Sequence, residues 1–388
     1  MTGTDASPGV HGSERRLLRV KVPRPLHLGI WLGLLGLLAL TGARRVPHLV
    51  ESAYSGGVYP ALAGAVASVT GVIPFSVGDT GQVLALPAAV AVGRRAWKRA
   101  RDAGGLRRRA AVSVLAAVLA LMGWIWACAL PLYALNYARP APEVLFGLGG
   151  RDIPPQRIDE IVAMIGSRTG RLRAQLPEDG KGIVRMPKDL RPLDRHLAQA
   201  QARALNRAGV AAVTTGRTKT SGAGVVLQRW GISGLYSPLT AEPTVVRPEP
   251  PGLLPSIAAH ERAHLAGFAA EDDASFVGIL TAWVSQRPEV RYSGWLDLWL
   301  EFGRDSSSLH PGVLRDHVAI SAHYRRTVKR EAVAHRAVYD TYLKGIGEPL
   351  GIDSYDRVAA LAILYIDRHG MPPDPLDPAA GPTGPEQP

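Results

Sequence analysis

The chain is 388 residues long, carries 45 Lys+Arg against 33 Asp+Glu, and contains one cysteine. That single cysteine excludes an internal disulfide framework and a Cys-based zinc ribbon or knuckle, and 46% hydrophobic with 20% charged residues excludes disorder throughout. The net charge of +12 belongs to the N-terminal third: residues 1–139 hold 16 basic and 5 acidic residues, whereas residues 140–388 hold 29 and 28. Basic residues flanking long apolar runs point to membrane topology and away from nucleic-acid binding.

Residues 1–25 form a basic N-terminus, and residues 26–138 read as a membrane domain with three spans. The first, Leu26–Gly42, is apolar apart from His27 and Thr41. It is short for a hydrocarbon core of ~30 Å at ~1.5 Å per residue, but within range. A cleaved signal peptide is the competing reading; Arg44-Arg45, standing where a small-residue cleavage site belongs, favours a retained anchor. Gly29 and Gly33 have a helix-packing spacing, but in a chain with 42 glycines that spacing carries no weight. Tyr59–Val92 is largely apolar but interrupted by Pro74, Asp79 and Pro87. It reads as a second span over about residues 72–92, mainly Gly81–Val92, with a broken entry. The third, Ala110–Tyr137, is uncharged and gathers its Trp and Tyr residues at the far end, where an aromatic belt belongs.

Arg15, Arg16, Arg19, Lys21 and Arg24 precede the first span, and a second basic cluster fills residues 94–109. The positive-inside rule puts both clusters on the cytoplasmic side of the inner membrane and everything after Tyr137 outside. Without a middle span, the two clusters would fall on opposite sides.

Residues 139–370 have ordinary globular composition. Helical spacing appears over Ile158–Leu176 and Leu190–Ala208. Val225–Trp230 and Thr244–Val246 are β-branched and read as strands around GISGLYSPLTAEP, a loop or irregular strand. Further helices are expected over Ser256–Gly267, Ala274–Gln286, Gly294–Phe302, Pro311–Leu343 and Ser354–His369. Trp295, Leu296, Leu298, Trp299 and Leu300 read as a core face. The tail 371–388, with seven prolines, is expected to be disordered.

The chemistry lies in His260-Glu261-Arg262-Ala263-His264, an H-E-x-x-H pattern. Positions i and i+4 of a helix lie ~40° apart in projection and ~6 Å along the axis, so both imidazoles can meet one zinc ion while the glutamate reaches a water beside it. A third ligand is sought among Glu271, Asp272 and Asp273, with Glu271 ranked first and Asp273 second. On an unbroken helix Glu271 would lie ~10 Å beyond His264 along the axis, too far to share an ion. The helix must therefore break, and Gly267 is placed to break it. The ordinary role of that acidic run is to favour a helix N-terminus. Donors to a developing oxyanion are sought among His323, Tyr324, Tyr339, Tyr342 and Tyr355. Compared with zinc peptidases that use a glutamate ligand, the chain has Ser275 where an Asp often stands, which predicts a weaker hydrogen bond behind the ligands.

Several blocks in order resemble the bacterial membrane family designated domain of unknown function 3810 (DUF3810). Pro74-Phe75-Ser76-Val77-Gly78-Asp79 and Leu135-Asn136-Tyr137-Ala138-Arg139 resemble its blocks beside the second and third spans. Gly231–Glu242 and the stretch HERAHLAGFAAEDDASF resemble its approach to the metal helix and that helix itself, and Tyr339–Lys344 and Gly351–Tyr355 resemble its closing blocks. The family tends to have Asn, Glu and Phe where Ser275, Asp273 and Leu239 stand. The resemblance implies membrane anchoring and a zincin-like, metallopeptidase-type domain; it implies no substrate.

The expected architecture is a mainly α membrane protein: three N-terminal transmembrane helices and an extracytoplasmic α+β zincin-like domain. The expected activity is zinc-dependent peptide hydrolysis, with His260, His264 and Glu271 on the metal and Glu261 as general base. The expected partners are the lipid bilayer and a peptide or protein substrate. A non-catalytic membrane sensor or scaffold with a structural metal site is the alternative. An intramembrane protease is disfavoured, because the apolar run Phe276–Val284 is too short to span.

Overall fold

The computed structural model describes residues 24–102, 107–149, 152–302, 309–328 and 355–373. The basic N-terminus up to residue 23, the tail from 374, and positions 339 and 342 lie outside them.

Helix α1 (Arg24–Ala43) turns sharply into a second helical stretch formed by α2 (Pro47–Leu49), a π-helical segment (Val50–Val58) and α3 (Tyr59–Gly71). The two arms are bent by 102°. After a break at residues 72–76, α4 (Val77–Asp102) and α5 (Arg107–Leu132) follow. α1 packs along α5. A Cβ at Gly123 would lie 1.8 Å from the Gly29 carbonyl oxygen, so the glycines set this approach, and the spacing given no weight in the sequence is used.

One described helix, Val114–Leu132, is by itself long and apolar enough to cross a membrane; the bent pair His27–Ala43 with Pro47–Gly71 adds a second if it counts as one. The middle segment folds as α4, with Asp79 in its first turn and Pro87 inside it, and does not reach that length of apolar chain.

The remainder is mostly helical. α6 (Pro142–Leu145), α7 (Pro155–Arg173) and α8 (Leu190–Asn206) precede a three-stranded sheet. The sheet has β1 (Lys219–Thr220), β2 (Gly234–Ser237) and β3 (Glu242–Val245) in the order β1-β3-β2, with β1 parallel and β2 antiparallel to β3. Next come α10 (Leu254–Leu265), α11 (Glu271–Trp283), α12 (Pro288–Phe302), α13 (Pro311–Thr327) and α14 (Tyr355–His369). The main core lies among α7 and α11–α14, with Trp283 stacked on Trp295 at 4.2 Å. Trp295, Leu296, Leu298 and Trp299 are buried in it, as their spacing predicts.

Two expected elements differ. The helix expected over Pro311–Leu343 stops at Thr327, with Val328 extended. Val225–Trp230 is not a strand but the short helix α9 (Gly224–Arg229). Its valines face outward, with Val225 74% exposed, and lack the neighbouring chain on which β-branched residues depend for strand preference. Gly231, at φ +80°, ends it, and the Ile232 N–H donates back to the Leu227 carbonyl. The strand falls instead on Gly234–Ser237, inside the segment read as a loop or irregular strand.

The α3–α4 break is tied to the sheet. The Lys219 ammonium donates to the carbonyls of Thr70 and Phe75 and pairs with the Glu242 carboxylate. Glu242 in turn accepts from the first amides of α4, Val77 at 3.1 Å and Gly78 at 2.7 Å. A carboxylate at a helix N-terminus and an ammonium on helix-end carbonyls each match the local dipole.

Candidate metal centre

Pro255 starts α10, and its last two turns carry His260, Glu261 and His264. The helix stops at Ala266. Gly267 adopts φ +85°, its N–H donates to the His264 carbonyl at 2.9 Å, and the Phe268 N–H reaches back to Ala263 at 3.1 Å. This glycine-terminated end reverses the chain within three residues. α11 then begins with Glu271, which is brought back beside the two histidines.

The three inward atoms form a small triangle. His260 Nε2 and His264 Nε2 are 3.1 Å apart, and Glu271 Oε2 lies 3.2 Å from the first and 3.6 Å from the second. Ligands ~2.0–2.1 Å from a tetrahedral ion stand ~3.3 Å from one another. The donor set therefore fits zinc in both chemistry and spacing.

Each histidine is oriented from behind. His264 Nδ1 donates to the Phe268 carbonyl at 2.8 Å, with the Tyr133 hydroxyl 3.2 Å away, so Nε2 is left with its lone pair inward. His260 Nδ1 lies 3.1 Å from the Ser275 hydroxyl. Ser275 thus makes the contact whose weakening its identity predicted. Side-chain exposure of 22% at His260 and 30% at Glu271, against 8% at His264, opens the triangle on one side.

Burial favours a neutral His264, but the adjoining Glu271 outweighs it and pushes its pKa up to about 9. Burial likewise opposes charge on Glu271, and the two histidines overcome it, holding that carboxyl well below the usual range. The cluster is built to surround positive charge. Glu261 differs: burial dominates and raises it to about 7 against the opposing pull of His260 and His264. Its Oε2 is buried with no hydrogen-bond partner, and Gly234 of β2 passes so close that a Cβ there would meet Oε1 at 2.4 Å. A carboxylate poised near neutrality, with a free oxygen beside the donor triangle, is equipped to take and return a proton.

Asp272 and Asp273 sit elsewhere. Both pair with Arg357 of α14, which also holds Glu143. His323 and Tyr324 line a small cavity with Ser233 and Val246, and no contact joins either to the triangle. Tyr339 and Tyr342 fall outside the described residues, as does the Tyr355 side chain. Beside the histidines stand two residues that the sequence reading did not select, Tyr133 and Tyr236. Tyr236 of β2 stacks on His264 at 6.2 Å. Only the family-like block at Leu135–Arg139, next to Tyr133, hinted that this stretch belongs with the metal helix.

β2 is the sheet edge beside α10. Tyr236 faces Pro243, which has no N–H, so this is a non-bonded pair of the ladder. The bonded pairs are then Ser233 with Val246, whose N–H···O distance is 2.8 Å, and Leu235 with Thr244. The backbone N–H and C=O groups of Gly234 and Tyr236 consequently project from the outer edge.

Residues 54–363 match the family described as Protein of unknown function (DUF3810). The chain belongs to DUF3810. No curated protein and no solved structure matches it. The DUF3810 region takes in α3 to α5 together with the metal helix, so those three helices and the candidate centre fall within one family unit, while α1 and α2 precede it.

Proposed function

We propose that this DUF3810 protein is a membrane-anchored, zinc-dependent peptidase. The observation that carries the reading is the triangle of His260 Nε2, His264 Nε2 and Glu271 Oε2, with edges of 3.1, 3.2 and 3.6 Å, standing beside the unpartnered Glu261 carboxylate. Zinc held there supplies Lewis-acid polarisation of a carbonyl and brings a water's pKa toward ~7.

The chain's own residues do the rest. Phe268 and Ser275 fix the imidazole orientations. Glu261 takes a proton from the attacking water through Oε2 as the new C–O bond forms, then gives it to the amine nitrogen as the C–N bond breaks. The outward groups of Gly234 and Tyr236 pair with an extended peptide, laying it along β2 above Glu261. In this reading α4, though less apolar than α5, returns the chain across the membrane between α1 and α5, so that both basic clusters lie in the cytoplasm and the metal domain faces the other side.

A purely structural metal site gives Glu261 no task, and its buried, unpartnered oxygen speaks against that alternative. A metal helix of 12 residues, Leu254–Leu265, is not a span, which speaks against an intramembrane site. The test is metal content of detergent-purified protein beside peptide hydrolysis. Wild type and Glu261→Gln should each carry about one zinc and His260→Ala none, with hydrolysis confined to wild type. A wild-type protein that neither carries nor takes up zinc would end the peptidase reading.

A further inference from the structure

The candidate span Val114–Leu132 ends one residue before Tyr133, whose hydroxyl lies 3.2 Å from a ring nitrogen of His264. The Tyr133 side chain links the end of the apolar helix to a residue of the donor triangle. The layer between them is aromatic: Tyr54, Tyr59, Tyr133, Tyr137 and Tyr236 form a connected set of ring contacts, and Tyr236 stacks on His264. The Tyr54 hydroxyl donates to the Pro131 carbonyl at the end of α5, and the Tyr59 hydroxyl to the Leu265 carbonyl at the end of the metal helix. Tyrosines concentrate at membrane–water boundaries because one end is apolar and the other polar.

The α2–α3 arm lies in the same layer. It runs at 102° to α1, roughly across the direction of the helices that α1 packs along. Its inner face, Tyr59, Ala63, Ala67 and Thr70, is buried against the metal domain. Its outer face is apolar and exposed, with Val58 at 60%, Val69 at 69% and Val72 at 80%, and residues 52–78 contain no charge. Phe75 at the break is exposed as well. Beside it, α9 presents Val225 and Val226, and the Gly222 N–H holds this segment to Asp79 in the first turn of α4. An uncharged helix lying across a span, with one face on protein and an apolar face outward, suits the headgroup–acyl boundary.

We propose that the metal centre sits at the bilayer surface and acts on polypeptide held there, namely the segment flanking another protein's membrane span. This rests on the peptidase reading above. Because Tyr133, one residue past the candidate span, touches His264 at 3.2 Å, cleavage falls within a few residues of the substrate's hydrophobic boundary.

Depth is tested on the full chain in phosphatidylcholine–phosphatidylglycerol vesicles. In a Cys128→Ser background, which removes the only cysteine, a fluorophore is placed at Val69→Cys, Val225→Cys or Lys181→Cys. Lys181 is in an exposed loop whose neighbour Gly182 is held by Arg173 and Arg315. Lipids brominated on the acyl chain should quench the first two labels about twofold or more and leave the third unchanged. A Val69 label as unquenched as that at Lys181 overturns the proposal.

The substrate half is tested with a mixed-sequence peptide library, free or fused to a single membrane-spanning helix in the same vesicles. Tenfold or greater preference for the fused library, with cuts near the span, is expected; equal turnover overturns it. If zinc-loaded protein cleaves neither, the peptidase reading and the substrate assignment fall together. The quenching result then shows whether the placement at the bilayer surface stands apart from them.

Discussion

Gly234→Ala isolates the proposed base without touching a ligand. The backbone at 234 is not in the left-handed region, so alanine is tolerated there conformationally and its effect is spatial. The added Cβ would lie 2.4 Å from Glu261 Oε1 and 2.8 Å from its Cγ. Restoring an ordinary contact of ~3.4 Å moves the carboxylate by about 1 Å, and a misplacement of ~1 Å in a reacting constellation costs on the order of 10²-fold in rate. That corresponds to about 2.7 kcal/mol of barrier. Overpacking also destabilises by about 1–3 kcal/mol, so thermal unfolding is recorded beside turnover. The expected result is a folded protein with wild-type zinc content and peptide hydrolysis reduced about a hundredfold, mainly in kcat. Wild-type turnover at full zinc occupancy would refute the placement of Glu261 as a base held under β2.

Ser275→Ala should lower zinc affinity about 10–100-fold in a chelator competition, because His260 loses its orienting partner. Ser275→Asn should retain most of it. Glu271→Gln should lose zinc under the same titration, whereas Asp273→Asn, whose carboxylate pairs with Arg357, should keep it. Glu242→Gln should cost about 3–5 kcal/mol at neutral pH, since it leaves the Lys219 ammonium buried without its counter-charge. Burial opposes ionisation of Glu242, but Lys219 and the α4 amides prevail and hold its pKa below the usual range. The sign is therefore that of a lowered acid: the contribution is complete above the unfolded carboxylate value of ~4.3 and is lost as pH falls below it. Unfolding curves of wild type and Glu242→Gln should converge in acid, and a gap that persists there would contradict this account.

The metal helix was legible because its chemistry is local. H-E-x-x-H fixes two donors one helical turn apart, and the ~10 Å axial gap to Glu271 demanded a break that a glycine could make. Glu271 ranks ahead of both aspartates in the sequence and is the one that joins the histidines; what draws Asp272 and Asp273 away is Arg357, some 85 positions on and silent in the local pattern. α9 was misread since β-branched valines signal a strand only where something pairs with it, and these two face outward. The count of spans rested on composition. The structure turns the α2–α3 arm across α1, a direction that hydropathy does not encode. Tyr133, one residue past a candidate span, reads as belt, and Tyr236 reads as one aromatic in an irregular segment; only the fold brings both against His264.

The break after His264 does more than return Glu271 to the site. By ending the helix it frees the Phe268 carbonyl, and that carbonyl is the acceptor that sets the tautomer of His264. It also leaves the Ala266 and Gly267 carbonyls without helical partners, and both accept from the Arg139 guanidinium. Arg139 is held in turn by the two Glu51 oxygens at 2.7 and 2.8 Å and lies 4.2 Å above the Phe268 ring. A bidentate pair positions a guanidinium better than any single contact. The turn that brings the three candidate donors together from two helices is thus clamped by residues from the helical segment before α3 and the exit of α5. A metal domain cut free after residue 140 would lose Glu51, Tyr133 and Arg139 together. The shape of the centre is in that sense a property of the N-terminal helices as much as of the motif that announces it.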